Sequence, residues 1–162
     1  FIGPCAAKKL EASRRSVRSD VDFVITFEEL RGMFEAKGID FSQIPDLPSH
    51  YEASAPGVGF AAGGGVAKAV EDVIHRLHPE VEVKTVAAEG LEECRKMLRI
   101  ARTGKYDGYL LEGMACPGGC VAGAGTVVSA DTAAKKLAQH MAQASGETAK
   151  DSKYRDLADQ LN

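Results

Sequence analysis

Short apolar runs alternate along this chain with segments in which apolar residues recur every three or four positions. Four of the runs predict β-strands, and they lie at residues 1–3, 21–26, 81–87 and 106–112. Four periodic segments predict helices that pack one face on a sheet, and they lie at residues 27–37, 66–77, 91–101 and 133–144. Because strands and helices alternate, the pattern favours an α/β fold in which helices flank a parallel sheet.

Capping residues and helix breakers mark where these elements begin and end. Thr26 carries the hydroxyl that caps a helix at residues 27–37, and Gly38 is the residue type that ends one. Three consecutive glycines at residues 63–65 open the next helix. Three prolines within residues 39–56 predict an irregular loop there.

The composition describes a globular chain without a surface for nucleic acid or membrane. The 162 residues are 44% hydrophobic and 27% charged, which is enough for one or two compact α/β units. A net charge of −3 argues against nucleic acid as a partner, and no apolar stretch approaches the roughly 20 residues that cross a bilayer. Four cysteines are too few for a disulfide scaffold. We therefore expect a cytoplasmic protein in a reducing compartment.

Three of the four cysteines lie in two turns flanked by glycine and proline. Cys5 follows Pro4 at the end of the first apolar run, and Cys116 and Cys120 bracket a Pro-Gly-Gly sequence after the strand at residues 106–112. Thiolates bind soft metals, and glycines let the backbone come close to a metal centre. Because open α/β folds gather their sites at the carboxyl ends of strands, we expect both turns at one sheet edge. Three thiolates are one fewer than a zinc site or a cluster usually takes.

The other possible ligands have simpler interpretations. Cys94 shares a helical stripe with Leu91 and Leu98, which predicts a small buried thiol packed in the core and not a fourth ligand. His75 and His78 lie near the end of a predicted helix and are interpreted as surface residues.

The surroundings of the two turns favour iron over zinc. The strand ends beside the cysteines are apolar and carry no histidine, which is typical of an iron–sulfur centre. Zinc stays an alternative, because its ligands are also commonly separated by two to four residues. Lys8, three residues after Cys5, could reach back towards a negatively charged centre.

Two segments together resemble the [FeFe]-hydrogenases. Residues 4–11 (PCAAKKLE) resemble the second signature of the catalytic domain of that family, and residues 112–120 (EGMACPGGC) resemble the third. The segments at residues 21–40 and 59–66 also look like that domain, so the resemblance covers about residues 1–126 in family order. It implies a three-layer α/β fold.

The resemblance also implies a domain assignment. Residues 1–162 would form part of a domain that holds the iron centre of the family, the H-cluster. The stretch at residues 145–162 is matched only weakly and consists of a polar break and a short helix predicted at residues 154–161.

The metal ligands are carried over from the family by position. Cys5 and Cys116 would each bind a [4Fe–4S] cubane, and Cys120 would bridge this cubane to a dinuclear iron subcluster with carbonyl, cyanide and dithiolate ligands. Lys8 would donate hydrogen bonds to a cyanide ligand, because its ammonium offers three donors and a compensating charge.

Further residues would shape the pocket around the irons. The resemblance implies that Met114 and Phe60 form its apolar walls and that the backbone of Pro4 lies near it. Glu11 and Glu112 would act as supporting anchors.

The sequence departs from the family pattern at several positions. Gly3 stands where catalytic members carry methionine, Ala61 stands where they carry glycine, and residues 123–126 replace a glycine run that ends in Gln-Pro. These changes resemble sensory members of the family. The first signature, with the remaining cubane cysteine and a proton-delivering cysteine, would lie before Phe1, so we expect the isolated chain to be inactive.

The implied activity is the reversible reduction of protons to dihydrogen by an iron-only hydrogenase, with electrons from a ferredoxin-type carrier. The upstream part of the same polypeptide would complete the site, and hydrogen sensing is the competing output. Two further alternatives follow from the cysteines themselves. One is an electron-transfer or structural [4Fe–4S] module without the dinuclear subcluster, and the other is a zinc-stabilised scaffold.

Overall fold

Short parallel strands alternate with helices along the part of the chain that the structure describes. The computed structural model describes residues 1–16, 20–45, 53–144, 146, 148 and 151. The strands are β1 (Ile2–Gly3), β2 (Ile25–Thr26), β3 (Lys84–Glu89) and β4 (Tyr109–Met114). The helices are α1 (Ala7–Ala12), α2 (Phe27–Ala36), α3 (Ala55–Val58), α4 (Gly65–Leu77), α5 (Leu91–Ala101) and α6 (Ala130–Met141). Single 3₁₀ turns occupy Phe41–Gln43, Gly59–Ala61 and Cys120–Ala122.

The strands pair in parallel, which confirms the predicted α/β class. Among the described residues they form two separate two-stranded sheets, one of β1 and β2 and one of β3 and β4. β1 leads to Cys5 in the first sheet, whereas β4 leads to Cys116 in the second. The expectation that a single sheet edge carries both cysteine turns is therefore wrong, because the two turns leave different sheets.

Helices cover both faces of the sheet formed by β3 and β4. The carboxylate of Glu112 on β4 accepts a hydrogen bond from the backbone of Ala67 in α4. A side chain placed at the next residue, Gly113, would meet Cys94 and Met97 of α5. Since successive residues of a strand point to opposite faces, α4 and α5 lie on opposite sides of this sheet, as expected for three layers.

A capping box fixes the beginning of α2. The Thr26 hydroxyl accepts a hydrogen bond from the Glu29 backbone at 3.2 Å, and the Glu29 carboxylate accepts one from the Thr26 backbone at 2.9 Å. Gly38 follows the helix with φ of +64°, a conformation that glycine adopts without strain. Both helix ends were predicted from these residues. Lys9 of α1 binds the same Glu29 carboxylate at 2.8 Å and ties α1 to α2.

The boundaries of the other elements shift by a few residues. The strand predicted at residues 21–26 is reduced to Ile25–Thr26, and the next two strands move two or three residues towards the C-terminus. The last helix begins at Ala130 because the Ser129 hydroxyl caps it, accepting from the Thr132 backbone. The predicted loop at residues 39–56 contains a 3₁₀ turn and the start of α3. Residues 46–52 and the helix predicted at residues 154–161 lie outside the described residues.

The packed face of α5 differs from the predicted one. Leu91 and Leu98 are 70% and 56% exposed, whereas Met97 is 6% exposed. Cys94 is half-buried beside Met97, so the inward stripe runs through these two residues and not through the leucines. The prediction of a Leu91–Cys94–Leu98 core stripe is wrong because Gly113 of β4 makes room for the thiol and the thioether.

Two simpler expectations are met in the described part of the chain. His75 and His78 are exposed, as predicted. Among the described residues there is no helix whose length and apolar character would let it span a bilayer.

Candidate metal centre

The first cysteine turn connects β1 to α1. Cys5 is half-buried and stands two residues before the first residue of α1. The helix then presents Lys8 and Glu11 on one side, where the Lys8 ammonium binds the Glu11 carboxylate at 2.7 Å. A short helix directly after the cysteine thus brings a cation and its counter-ion to the first turn.

The second cysteine turn begins two residues after β4 and reverses tightly on two glycines. Gly118 and Gly119 adopt φ of +87° and +83°, which side chains disfavour. The Gly119 backbone donates to the Cys116 carbonyl at 3.0 Å, and the 3₁₀ turn that follows begins at Cys120. The Pro-Gly-Gly sequence therefore folds Cys116 and Cys120 into one compact turn.

A glycine segment after Cys120 connects the two turns. The Gly125 backbone donates a hydrogen bond to the carbonyl of Pro4 at 2.9 Å. A Cβ atom at Gly123 would lie only 2.5 Å from the same carbonyl oxygen. Because neither glycine has a side chain, the chain passes directly over Pro4 and holds the second turn beside the first.

The thiol of Cys120 interacts electrostatically with both of the other cysteines. Partial desolvation of its sulfur raises the pKa of Cys120 above the ordinary value, although the residue as a whole is exposed. Neighbouring Cys5 and Cys116 raise this pKa further, and the Lys8 ammonium lowers it. The three cysteines that the sequence singled out therefore share one electrostatic environment, although they leave two different sheets.

Lys8 belongs to the same group. Its hydrogen bond to Glu11 raises the pKa of Lys8 above the ordinary value of 10.5, and the charges of Cys5 and Cys120 raise it further. The ammonium is therefore retained at neutral pH and lies close enough to Cys120 to lower the pKa of that thiol.

The glycine loop before α4 packs directly against the second cysteine turn. A Cβ atom at Gly119 would lie 2.5 Å from the Gly63 nitrogen and 2.7 Å from the Ala61 carbonyl oxygen. Phe60 belongs to the 3₁₀ turn at the start of this loop and is 46% exposed. The contact brings the Phe60 turn next to the cysteine turn, and its function as a pocket wall stays a prediction.

Glu112 is a buried carboxylate within β4, two residues before the strand ends at Met114. One oxygen accepts from the Ala67 backbone at 2.7 Å, in the first turn of α4, where the positive end of the helix stabilises a negative charge. The other oxygen is buried and has no hydrogen-bond partner among the described residues. Glu112 therefore anchors α4 to β4, and its function as a supporting anchor of the metal pocket stays a prediction.

Cys94 has a different environment from the other cysteines. Its thiol donates to the carbonyls of Ala88 and Met114, both at 3.5 Å. These bonds place the sulfur between β3 and β4, where it packs as a small side chain. Met114 itself is half-buried at the end of β4, and its predicted contact with a metal cluster stays a prediction.

The donor set fits an iron–sulfur centre. Three thiols share one environment with an ammonium group, and the glycines of the second turn let the backbone bend tightly around its two cysteines. A cluster takes each thiolate on a different iron, so its ligands stand further apart than those of one tetrahedral ion. Within the described ranges, no three His, Cys, Asp or Glu side chains form a group that is ready to hold a single metal ion.

Sequence reasoning missed Glu89, a residue that contacts the second cysteine turn. Its carboxylate accepts a hydrogen bond from the Gly118 backbone at 2.7 Å. The only signal for it in the sequence is its position just after the strand predicted at residues 81–87 and before Gly90, where site residues of α/β folds are commonly found.

Solved structures with the same fold support this architecture. One [FeFe]-hydrogenase structure superposes with a TM-score of 0.64 over 98% of this chain and 57% of its own, at 22% identity. A second, a hydrogenase structure that concerns stepwise H-cluster assembly, gives a TM-score of 0.56 at 20% identity over the same shares.

Curated relatives fall into two groups. The chain is 28% identical to the periplasmic [Fe] hydrogenase large subunit of Nitratidesulfovibrio vulgaris, over 78% of this chain and 38% of the relative. It is 27% identical to the cytosolic iron-sulfur assembly component 3 of Bos taurus, over 86% of this chain and 37% of the relative. The chain thus spans less than two fifths of the length of these relatives.

A family comparison covers most of the chain. The sequence profile of the iron only hydrogenase large subunit, C-terminal domain, matches residues 1–124. This match includes the two cysteine turns and the glycine loop that packs against the second of them. The chain therefore belongs to the family of the C-terminal domain of the iron-only hydrogenase large subunit.

Proposed function

We propose that this chain forms part of an H-cluster domain in which Cys5, Cys116 and Cys120 bind one bipartite iron centre. Cys5 and Cys116 would hold a [4Fe–4S] cubane, and Cys120 would bridge it to a dinuclear iron subcluster. The observation that carries the proposal is the contact between the two cysteine turns: the glycine segment after Cys120 passes over Pro4, and the Gly125 backbone donates to the Pro4 carbonyl at 2.9 Å. The bound centre would supply the electron-transfer and proton-reduction chemistry, which gives reversible formation of dihydrogen.

The residues of the chain would set the environment of this centre. Lys8 would supply positive charge and hydrogen bonds to an anionic cluster, held in place by its ion pair with Glu11. Met114 and Phe60 would limit the access of water, and the Pro4 carbonyl, fixed by Gly125, would shape the floor of the pocket.

Position 3 supports a pocket that differs from that of catalytic hydrogenases. A Cβ atom at Gly3 would lie 2.8 Å from the ring of Phe1, so the ring occupies the space where a longer side chain at this position would begin. The altered wall supports hydrogen sensing as an output of the same centre. Measured turnover of dihydrogen, compared with the spectroscopic response of the centre to dihydrogen, separates sensing from catalysis.

The second group of relatives supports another candidate function. The similarity to a cytosolic iron–sulfur assembly component is about as high as that to the hydrogenase large subunit, and it covers more of this chain. In this alternative the three thiolates hold a [4Fe–4S] cluster for assembly, electron transfer or structure, and the dinuclear subcluster never forms.

Exposed apolar side chains support a larger assembly. Leu10, Phe23 and Leu91 are large apolar side chains that are 69%, 77% and 70% exposed, so this surface offers apolar area that another part of a protein can bury. We propose that the upstream part of the same polypeptide covers part of this surface and supplies the fourth thiolate, and that a ferredoxin-type carrier delivers electrons.

Cluster loading of cysteine variants tests the shared site. The protein is reconstituted anaerobically with iron and sulfide, and metal content and the electron paramagnetic resonance signal are measured for Cys5→Ser, Cys116→Ser and Cys120→Ser. We expect each variant to lose most of the cluster, while the matched control Cys94→Ser keeps it. Loss of the cluster in only one of the three variants, or binding of zinc in place of iron by the wild type, would contradict the proposal.

A further inference from the structure

Glu89 connects three segments around the second cysteine turn. It is the last residue of β3 and lies opposite Met114 in the register of the sheet, two residues before Cys116. One carboxylate oxygen accepts the Gly118 backbone hydrogen bond at 2.7 Å. The Glu89 side chain at the end of β3 therefore contacts the turn that follows β4 and carries two of the three thiols.

The other carboxylate oxygen lies against the glycine loop before α4. A Cβ atom at Gly63 would overlap this oxygen and could not be accommodated without moving it. The same loop packs on Gly119, where an added Cβ atom would lie 2.5 Å from the Gly63 nitrogen. The Glu89 carboxylate thus fills the junction between the loop and the turn, and the absence of a side chain at Gly63 makes its position possible.

A carboxylate at this position affects the centre in three ways. It fixes Gly118, whose left-handed backbone sets the direction of Cys116 and Cys120 relative to each other. It also takes up a backbone N–H that otherwise is free to donate to a cluster sulfur, and it adds negative charge nearby. The added negative charge and the loss of a donor to sulfur both stabilise the oxidised form of a cluster. The reason is that its reduction potential depends on local charge and on hydrogen bonds to sulfur.

We propose that Glu89 is a positioning residue of the cysteine turn, which fixes the Cys116–Cys120 geometry and lowers the reduction potential of the bound cluster. This inference rests on the proposed function only for its second half. The turn geometry is a property of the polypeptide with or without iron.

Hydrogen exchange in the iron-free protein tests the first half. A charge-assisted hydrogen bond contributes about 1.5 kcal/mol or more, so Glu89→Ala is expected to speed exchange of the Gly118 amide about 10-fold. The Gly104 amide, which donates to the Ala101 carbonyl in a separate turn, serves as the internal reference. Glu89→Gln keeps an acceptor oxygen and is expected to retain part of the protection. Unchanged exchange at Gly118 in both variants overturns the proposal.

Potentiometry of the reconstituted protein tests the second half. We expect Glu89→Ala to weaken iron binding by about 10- to 100-fold. Glu89→Gln is expected to retain the cluster at a higher midpoint potential. Glu92→Gln, which removes an exposed carboxylate three residues further on, is the matched control and leaves the potential unchanged.

The two failures are distinguishable. If the wild-type protein takes up no cluster, the proposed function fails while the exchange result still decides the structural part. If the cluster forms and Glu89→Gln shifts the potential no more than Glu92→Gln, the assignment of Glu89 is wrong while the proposed function stands.

Discussion

Replacement of Gly119 by alanine is the most sensitive perturbation of the contact between the cysteine turn and the glycine loop. The new Cβ would lie 2.5 Å from the Gly63 nitrogen, 2.7 Å from the Ala61 oxygen and 2.7 Å from the Ala62 carbonyl carbon, whereas ordinary contacts begin near 3.4 Å. All three atoms belong to the backbone, so no side-chain rotation relieves the overlap. The alanine must also adopt φ of +83°.

These two costs can be separated with a matched glycine. Gly108 has φ of +77°, and a Cβ there meets nothing within 4 Å. Gly108→Ala therefore measures the cost of a positive φ without any overlap, about 1–2 kcal/mol. Gly119 has a ψ of −165°, a conformation that essentially only glycine adopts, so its conformational cost is about 1–3 kcal/mol. The overlap adds about 1–3 kcal/mol, so we expect a total loss of about 2–6 kcal/mol for Gly119→Ala.

Urea unfolding and cluster loading measure the two expected effects. The midpoint of unfolding should fall further for Gly119→Ala than for Gly108→Ala, and only Gly119→Ala should lose iron on anaerobic reconstitution. Equal destabilisation by the two variants, with iron retained in both, would show that the glycine loop does not pack on the cysteine turn.

Three further predictions concern the scaffold and its dependence on pH. Met97→Ala should lower the free energy of unfolding in urea by about 2–5 kcal/mol and Leu98→Ala by less than about 1 kcal/mol, because of these two residues only Met97 is buried. The reverse order would show that α5 packs through Leu91 and Leu98 after all. Thr26→Ala should cost about 1 kcal/mol by the same assay through loss of the capping box, and an unchanged midpoint would refute that contribution. The hydrogen bond from Arg76 lowers the pKa of Asp151 from 3.8 to about 2. The stability that this pair contributes should therefore be complete above pH 3.8 and be lost as the pH falls through about 2. A carboxyl NMR titration of Asp151 checks the lowered pKa, and Asp151→Asn should abolish this pH dependence of stability.

The local elements of the fold could be predicted because their signals are local. The helix Leu91–Ala101 lies where the sequence places it, and Thr26 and Gly38 bound α2 as their chemistry indicates. The turns that carry Cys5, Cys116 and Cys120 were also predictable, since their glycine and proline residues form turns whatever the surrounding sheet.

The remaining features depend on contacts between distant residues. Leu91 and Leu98 have the spacing of a core stripe, but the side of α5 that packs is decided by Gly113 on another element. The function of Glu89 depends on the meeting of β3, the glycine loop and the cysteine turn, which no spacing along the chain encodes. The same holds for the division of the strands into two sheets.

Infrared spectroscopy of the matured protein tests the central claim most directly. The protein is matured anaerobically with its iron–sulfur cluster and dinuclear subcluster, and the region of carbonyl and cyanide stretching bands is recorded for the wild type and for Cys120→Ser. A bipartite centre bridged by Cys120 predicts both sets of bands in the wild type and their loss in the variant. A wild-type protein that holds a [4Fe–4S] cluster but shows neither set of bands would contradict the hydrogenase-like centre and favour the iron–sulfur module without a dinuclear subcluster.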